Sequence, residues 1–393
     1  MSDVPDFSDI LQSLRQINSV GTDTFLPLHA PVFLGNERRY VLDSIESTFV
    51  SSAGKYVDKF EESLREITGA QHVTACVNGT AALQVALTMA GVEHRDLVIT
   101  QSLSFVATAN AIRHAGADPV FIDVDAETLG MSPQALRGFL ESEAEKTQTG
   151  ARHRESSRKI GACVPMHTFG FPCNIEEILA ICEEWGIPVV EDAAEALGST
   201  RSGRHCGTFA SFGVLSFNGN KVCTAGGGGA ILTNNLDWGN QTKHRTTTAK
   251  RTHRWEFYHD QVAWNFRLPN INAALACAQL EQLPAFIAYK RSLAGRYAKL
   301  FAGTKWKFLL EPKGTRSNYW LTAVLFDTRR ERDAFLEQSN DSGIQTRPVW
   351  QPLHTLPMYK RSLCGPLEMT LNVADRLVNL PSGVLSMEMP DDA

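Results

Sequence analysis

The sequence predicts an α/β protein. A mostly parallel central sheet covered by helices is followed by a smaller α+β C-terminal domain. Three observations carry this. Short apolar runs alternate with helical patterns from about residue 72 to residue 217, the pitch of parallel βαβ units. After Asn270 the pattern changes to two long helical stretches. The chain has 393 residues, more than one ordinary compact domain holds. The expected division is a leader at 1–24, a large domain at 25–270 and a small domain at 271–393.

The elements follow in order. Ile10, Leu11, Leu14 and Ile17 stand at helical spacing in a loose leader. Residues 36–49 and 58–68 read as amphipathic helices, the second ended by Gly69. Residues 72–77 read as a strand, 78–80 as a turn, and 81–90 as a helix stopped by Gly91. Strands are expected at 97–100, 119–123, 159–165 and 187–191, with helices at 105–114 and 175–185. Residues 138–158 are polar and suggest a helix end and a mobile surface loop. Residues 212–217 and 229–233 add two strands, and 271–283 and 285–301 read as helices.

Composition narrows the function classes. A net charge of −5 gives no bulk attraction to nucleic acid or to an anionic membrane. The most basic stretch, residues 243–254, reads equally as a solvated loop face or as an anion-binding rim for a phosphorylated substrate. Eight cysteines include no Cys-x-x-Cys pair, so no metal site is expected. Residues 1–17 are polar and acidic, unlike a signal peptide. No apolar run approaches the roughly 18 residues of a membrane span. The expected location is the cytoplasm.

The chemistry centres on Lys221. It ends the string Ser216-Phe217-Asn218-Gly219-Asn220-Lys221 and precedes a run of glycines, 226–229. Upstream, Glu191-Asp192-Ala193-Ala194-Glu195 closes the apolar run 187–190. A carboxylate ending a buried strand, then a lysine on a small-residue loop, is a common plan for pyridoxal phosphate (PLP) enzymes. The lysine forms the Schiff base, and the aspartate keeps the pyridine nitrogen protonated. A carboxylate at Asp192 is costly to bury without a cation; the competing reading is a turn cap. Asn78-Gly79-Thr80 follows a strand and opens a helix, so its amides and hydroxyl suit a phosphate. Phe105 is placed to stack on a cofactor ring, or is ordinary core. Ser216 offers a further hydroxyl. Dinucleotide, Walker A, nucleophile-elbow and His-Glu-x-x-His motifs are absent.

Taken in order, 78–83, 191–194, 216–221 and 264–270 resemble the DegT/DnrJ/StrS sugar-nucleotide aminotransferases, of PLP fold-type I. The resemblance runs from Pro27 to about Pro381. Residues 27–31, 49–55 and 347–350 are similar to the aminotransferases of legionaminic acid and bacillosamine pathways. The resemblance implies that Lys221 and Asp192 are catalytic. It also implies that Gly79, Thr80, Phe105, Glu195 and Ser216 bind the cofactor with them. Asn265 would reach the cofactor phosphate of a neighbouring subunit, making a homodimer with shared sites. The implied reaction moves the amino group of L-glutamate to C4 of a nucleotide-linked 4-keto-6-deoxy, N-acetylated sugar. Arg347, Trp350 and His354 would wall the sugar-nucleotide pocket; domain packing is the alternative for that segment. Two positions depart from the family pattern: Glu195 stands where Gln or His is frequent, and Asn218 where His is frequent. A PLP-dependent sugar dehydratase would carry histidine in place of Lys221. A non-catalytic PLP-binding regulator would not need Lys221 and Asp192 intact.

Overall fold

The computed structural model describes residues 5–385. Its centre is a sheet with the spatial order 72–76, 229–233, 212–216, 190–192, 159–164, 97–101 and 118–122. A bond from the Cys163 amide to the Pro188 carbonyl, 2.9 Å, joins the two halves of that order. The pairings in it are parallel except those of Gly229–Thr233, which runs antiparallel to both neighbours. The fold is that of the fold-type I enzymes expected from the sequence. Leu97–Gln101 is buried along its whole length, as a strand covered on both faces must be. Helices Gly79–Met89, Val106–His114 and Ile175–Glu184 link successive strands. Parallel strands deliver their carboxyl ends to one edge, where ligands bind in such sheets. Cys76, Gln101, Asp192 and Ser216 all end strands there.

Three expectations need correction. The helix Ser8–Ile17 is not a loose leader. Phe7 packs between Trp306, Phe326 and Phe335 at centroid distances of 5.1, 5.7 and 5.1 Å. Arg15 donates to the Gly21, Thr24 and Ser342 carbonyls. The helix Asn270–Glu281, expected to open the second domain, packs on the sheet-bearing part. Its Asn270 side chain accepts from the Tyr56 amide at 3.0 Å, and Gln279 donates to Glu37 at 2.7 Å. An alanine-rich helix buried on several sides shows no amphipathic stripe to reveal its partner. Residues 144–153 form a hairpin, Ala144–Thr147 against Gly150–His153, rather than a loop. Ala144, Ala151 and His153 turn inward, and Arg152 pairs with Glu145 across the hairpin at 2.6 Å. That alternation is short and was masked by its polar composition.

The C-terminal portion carries an antiparallel sheet ordered 307–308, 322–325, 377–380 and 347–348. Helices Leu283–Phe301, Arg329–Asp341 and Glu368–Arg376 accompany it. Its segments around 320 and 350 reach back to the carboxyl edge of the main sheet.

Candidate active site

A cavity of about 320 Å³ opens at that edge. Its first wall is made by strand ends. Asn78 caps the helix Gly79–Met89 by accepting from the Ala81 amide at 2.8 Å. The Gly79 and Thr80 amides head that helix, where no preceding turn can accept from them. Close packing holds this turn. A Cβ on Gly79 would lie 3.1 Å from the Ser216 Cβ, and one on Gly229 only 2.5 Å from the Asn78 backbone. The glycine run therefore lets an antiparallel strand pass directly beneath the turn. The free amides and the Ser216 hydroxyl form a site suited to a phosphate.

Glu191 and Asp192 are neighbours with different duties. Glu191 is fully buried and satisfied by the Gly207, Phe209 and Ala210 amides at 2.7–2.8 Å. Asp192 lines the cavity. One of its oxygens accepts from the Thr108 hydroxyl at 2.7 Å, the other from the Ala194 amide at 3.2 Å. Burial pushes its pKa up, against these hydrogen bonds and the charge of Lys221. The two bonds on Asp192 exceed what a simple turn cap requires, and a buried carboxylate on a cavity wall calls for a cation.

Lys221 projects its Nζ to 3.2 Å from a Glu195 oxygen and 4.0 Å from the centre of the Trp320 ring. The other Glu195 oxygen accepts from the Phe169 amide at 2.9 Å. Phe169 holds φ +57°, a costly conformation for a non-glycine residue. That geometry aims its amide at the carboxylate. Burial lifts the Glu195 pKa to about 7, against the pull of Lys221 and the Phe169 amide. Glu195 is thus turned toward the lysine, and near neutral pH it is partly protonated.

The structure brings Gly79, Thr80, Phe105, Asp192, Glu195, Ser216, Lys221 and Trp350 to one cavity. Phe105 is 48% exposed there, so it is not ordinary core. Arg347, His354 and Asn265 do not line it. Arg347 is exposed on a sheet edge and donates to Asn340 and the Thr346 carbonyl, both at 2.8 Å. His354 is held by Ser102 at 2.8 Å, behind the strand end, and burial lowers its pKa. Asn265 is exposed and accepts from Arg267 at 2.9 Å. Sequence reading missed Thr108, Ala194 and Trp320. Thr108 stands three residues after Phe105, one helical turn along, which is a usable signal. Trp320 had no local signal.

A family model described as the DegT/DnrJ/EryC1/StrS aminotransferase family matches residues 34–390. The chain belongs to that family. Over 358 residues it is 35% identical to a GDP-perosamine synthase of Escherichia coli O157:H7, covering 91% of this chain and 93% of the relative. Over 361 residues it is 35% identical to a protein of Bacillus subtilis named putative pyridoxal phosphate-dependent aminotransferase EpsN, covering 91% and 90%. The aminotransferase TlmJ of Streptoalloteichus hindustanus superposes with a TM-score of 0.82 at 27% identity, over 91% and 94% of the chains. This member of the DegT/DnrJ/EryC1/StrS family is a PLP-dependent sugar aminotransferase. Its residues fit that cofactor: the exposed amides and hydroxyl could hold a phosphate, the buried Asp192 a protonated ring nitrogen, and Phe105 and Ala194 the ring faces.

Proposed function

We propose that this aminotransferase moves the amino group of L-glutamate to C4 of a nucleoside-diphosphate-linked 4-keto-6-deoxy sugar. The observation that carries this reading is Lys221, whose Nζ stands in the cavity within 3.2 Å of Glu195, on the wall shared with Asp192. Bound PLP supplies an electron sink and a carrier for the amino group. Lys221 takes a proton from the donor carbon and returns one at sugar C4. Glu195 keeps the lysine amine in place between these transfers. Asp192 would meet the ring nitrogen, Gly79, Thr80 and Ser216 would hold the phosphate, and Phe105 would cover a face of the ring.

The sugar-nucleotide wall is Trp350, with Trp320 beside the lysine. Arg347 and His354 are left out of that wall, since other partners occupy them. The relative named GDP-perosamine synthase favours a sugar carried on GDP. The likeness of residues 27–31, 49–55 and 347–350 to legionaminic acid and bacillosamine enzymes favours a 2-acetamido sugar. A coupled assay with glutamate and a panel of GDP-, UDP- and dTDP-linked 4-keto sugars decides between them. Failure to aminate any member, with PLP bound, removes the C4 assignment.

The same reading makes the enzyme a homodimer with shared sites. Asn265 is exposed and outside its own cavity, as a residue serving a neighbour would be. Phe33, Leu34, Leu42, Ile45 and Phe49 are large apolar side chains exposed within one stretch, 33–49, which suits contact with a second copy. A cytoplasmic location is part of the proposal. Its support is the cysteine set, eight free thiols of which seven are buried.

A further inference from the structure

A second cavity, about 340 Å³, lies at the opposite edge of the main sheet. Leu97 and Asp118, which open their strands, line it. Three arginines converge there: Arg113, Arg158 and Arg361. The reaction described above uses none of them.

Their partners are unequal. Arg158 is pinned. It donates to the Arg95 carbonyl at 2.6 Å, to the Asp96 carbonyl at 3.2 Å and to Asp118 at 2.5 Å. Arg113 pairs with the other oxygen of the same Asp118. Arg361 has no hydrogen bond or ion pair among the described residues. An arginine carries five N–H donors and cannot shed its charge. Arg361 is exposed, so its five donors, with several of Arg113 and Arg158, are open to solvent and to an anion entering the cavity.

The charges point the same way. Three guanidinium groups face one carboxylate, so the cavity wall carries three positive charges less one, or +2. The chain as a whole carries −5. Local accumulation of cations against the global sign makes an anion the favoured occupant of the cavity. Guanidinium forks match phosphate oxygens two at a time.

We propose that the cavity bounded by Arg113, Arg158 and Arg361 binds a phosphate-bearing ligand, a free phosphate or a nucleoside diphosphate, at a site separate from the catalytic one. Arg158 is the fixed element and Arg361 the arm that closes on the anion. One segment connects the two sites. Residues 353–363 run from the Leu353 amide, bonded to the Ser102 carbonyl at 2.9 Å near the catalytic edge, to Leu363 in this cavity.

The test uses the full chain loaded with PLP, so that the catalytic phosphate position is already filled. Calorimetric titration with inorganic phosphate should show one saturable site per chain. Arg361→Ala and Arg113→Gln should each weaken it roughly tenfold, the loss expected for one charged hydrogen bond. Unchanged turnover in both variants shows that the fold is intact. Titration with GDP distinguishes the sources. Two equivalents per chain in wild type, one of them weakened roughly tenfold in Arg361→Ala, identify a nucleoside diphosphate. One equivalent in both, with phosphate binding still sensitive to Arg361, identifies free phosphate. No saturable phosphate binding up to about 10 mM, weaker than a roughly −2.7 kcal/mol association, overturns the proposal. Equal phosphate binding by wild type and Arg361→Ala also overturns it. So does a change of oligomeric mass in Arg361→Ala with phosphate binding unaltered, because the arginines then serve an interface between copies.

Discussion

The catalytic cavity has two walls of different construction. The sheet-edge wall presents Asp192 and Ser216 from strand ends locked by ladder hydrogen bonds, with Gly79 at a helix start. The opposite wall presents Trp320 and Trp350 from loops. Trp320 is held by its Nε1 bond to the Asn220 carbonyl at 2.6 Å and by Lys290, which donates to its carbonyl at 3.1 Å. Trp350 rests on aromatic rings, 5.2 Å from Phe169 and 6.3 Å from Phe105. Asp192 and Ser216, which would meet a constant cofactor, stand on rigid elements, and Lys221 follows on the turn just beyond Ser216. Flat apolar groups that meet a variable substrate stand on loops. Damage to the first wall should therefore stop chemistry with any substrate. Damage to the second should alter which substrate binds.

The largest expected effect tests the first wall. Lys221→Ala should lower turnover by roughly 10²–10⁴-fold or more with every sugar, the range for losing a general acid–base, while the protein still binds PLP. Steady-state rates and cofactor absorbance on one preparation check it. Asp192→Asn should keep the fold and lose most activity. If only melting temperature fell, by an amount equivalent to about 1 kcal/mol, Asp192 would be a turn cap after all.

Trp350→Ala tests the second wall. KM for the nucleotide sugar should rise roughly tenfold, about 1.4 kcal/mol. The glutamate half-reaction should be nearly unchanged in stopped flow. Equal damage to both halves would erase the distinction between the walls.

Glu195 gives a smaller effect, on stability. Its pKa is about 7 in the folded chain against 4.5 for the free group. Between these values the folded chain holds a proton that the unfolded chain has released. Rising pH through this window therefore costs stability, and the full cost is present above 7. In cofactor-free protein, Glu195→Gln should melt higher than wild type above pH 7, and the gap should close as pH falls to 4.5. A gap independent of pH would mean that the carboxylate is not held protonated by burial. The smallest effect is expected for Arg347→Ala: unchanged kinetics, and stability within about 0.5 kcal/mol of wild type. A raised KM there would return Arg347 to the pocket.

The same contrast explains what the sequence disclosed. Asp192, Ser216 and the 78–80 turn each end or follow a short apolar run, so their position at the sheet edge follows from the parallel topology. Lys221 was legible from its distance to Asp192 and from the glycines, whose contact with Asn78 the structure explains. Trp320 was not legible, because packing between segments a hundred residues apart brings it over Lys221. Arg347 and Trp350 stand in one short run, yet the edge strand Arg347–Pro348 faces its arginine outward while the chain turns Trp350 in. No local pattern marks that turn. The helix Asn270–Glu281 hid its partner for a related reason, since it is buried on more than one side.

One measurement bears most directly on the account. PLP-loaded protein is reduced with borohydride, digested, and mapped by mass spectrometry for the lysine that carries the cofactor. The account expects a single label on Lys221. The rival is Lys290, a buried amine whose pKa burial pulls down to about 7. A label on Lys290, on any other lysine, or on none would contradict the assignment of this cavity as the catalytic site.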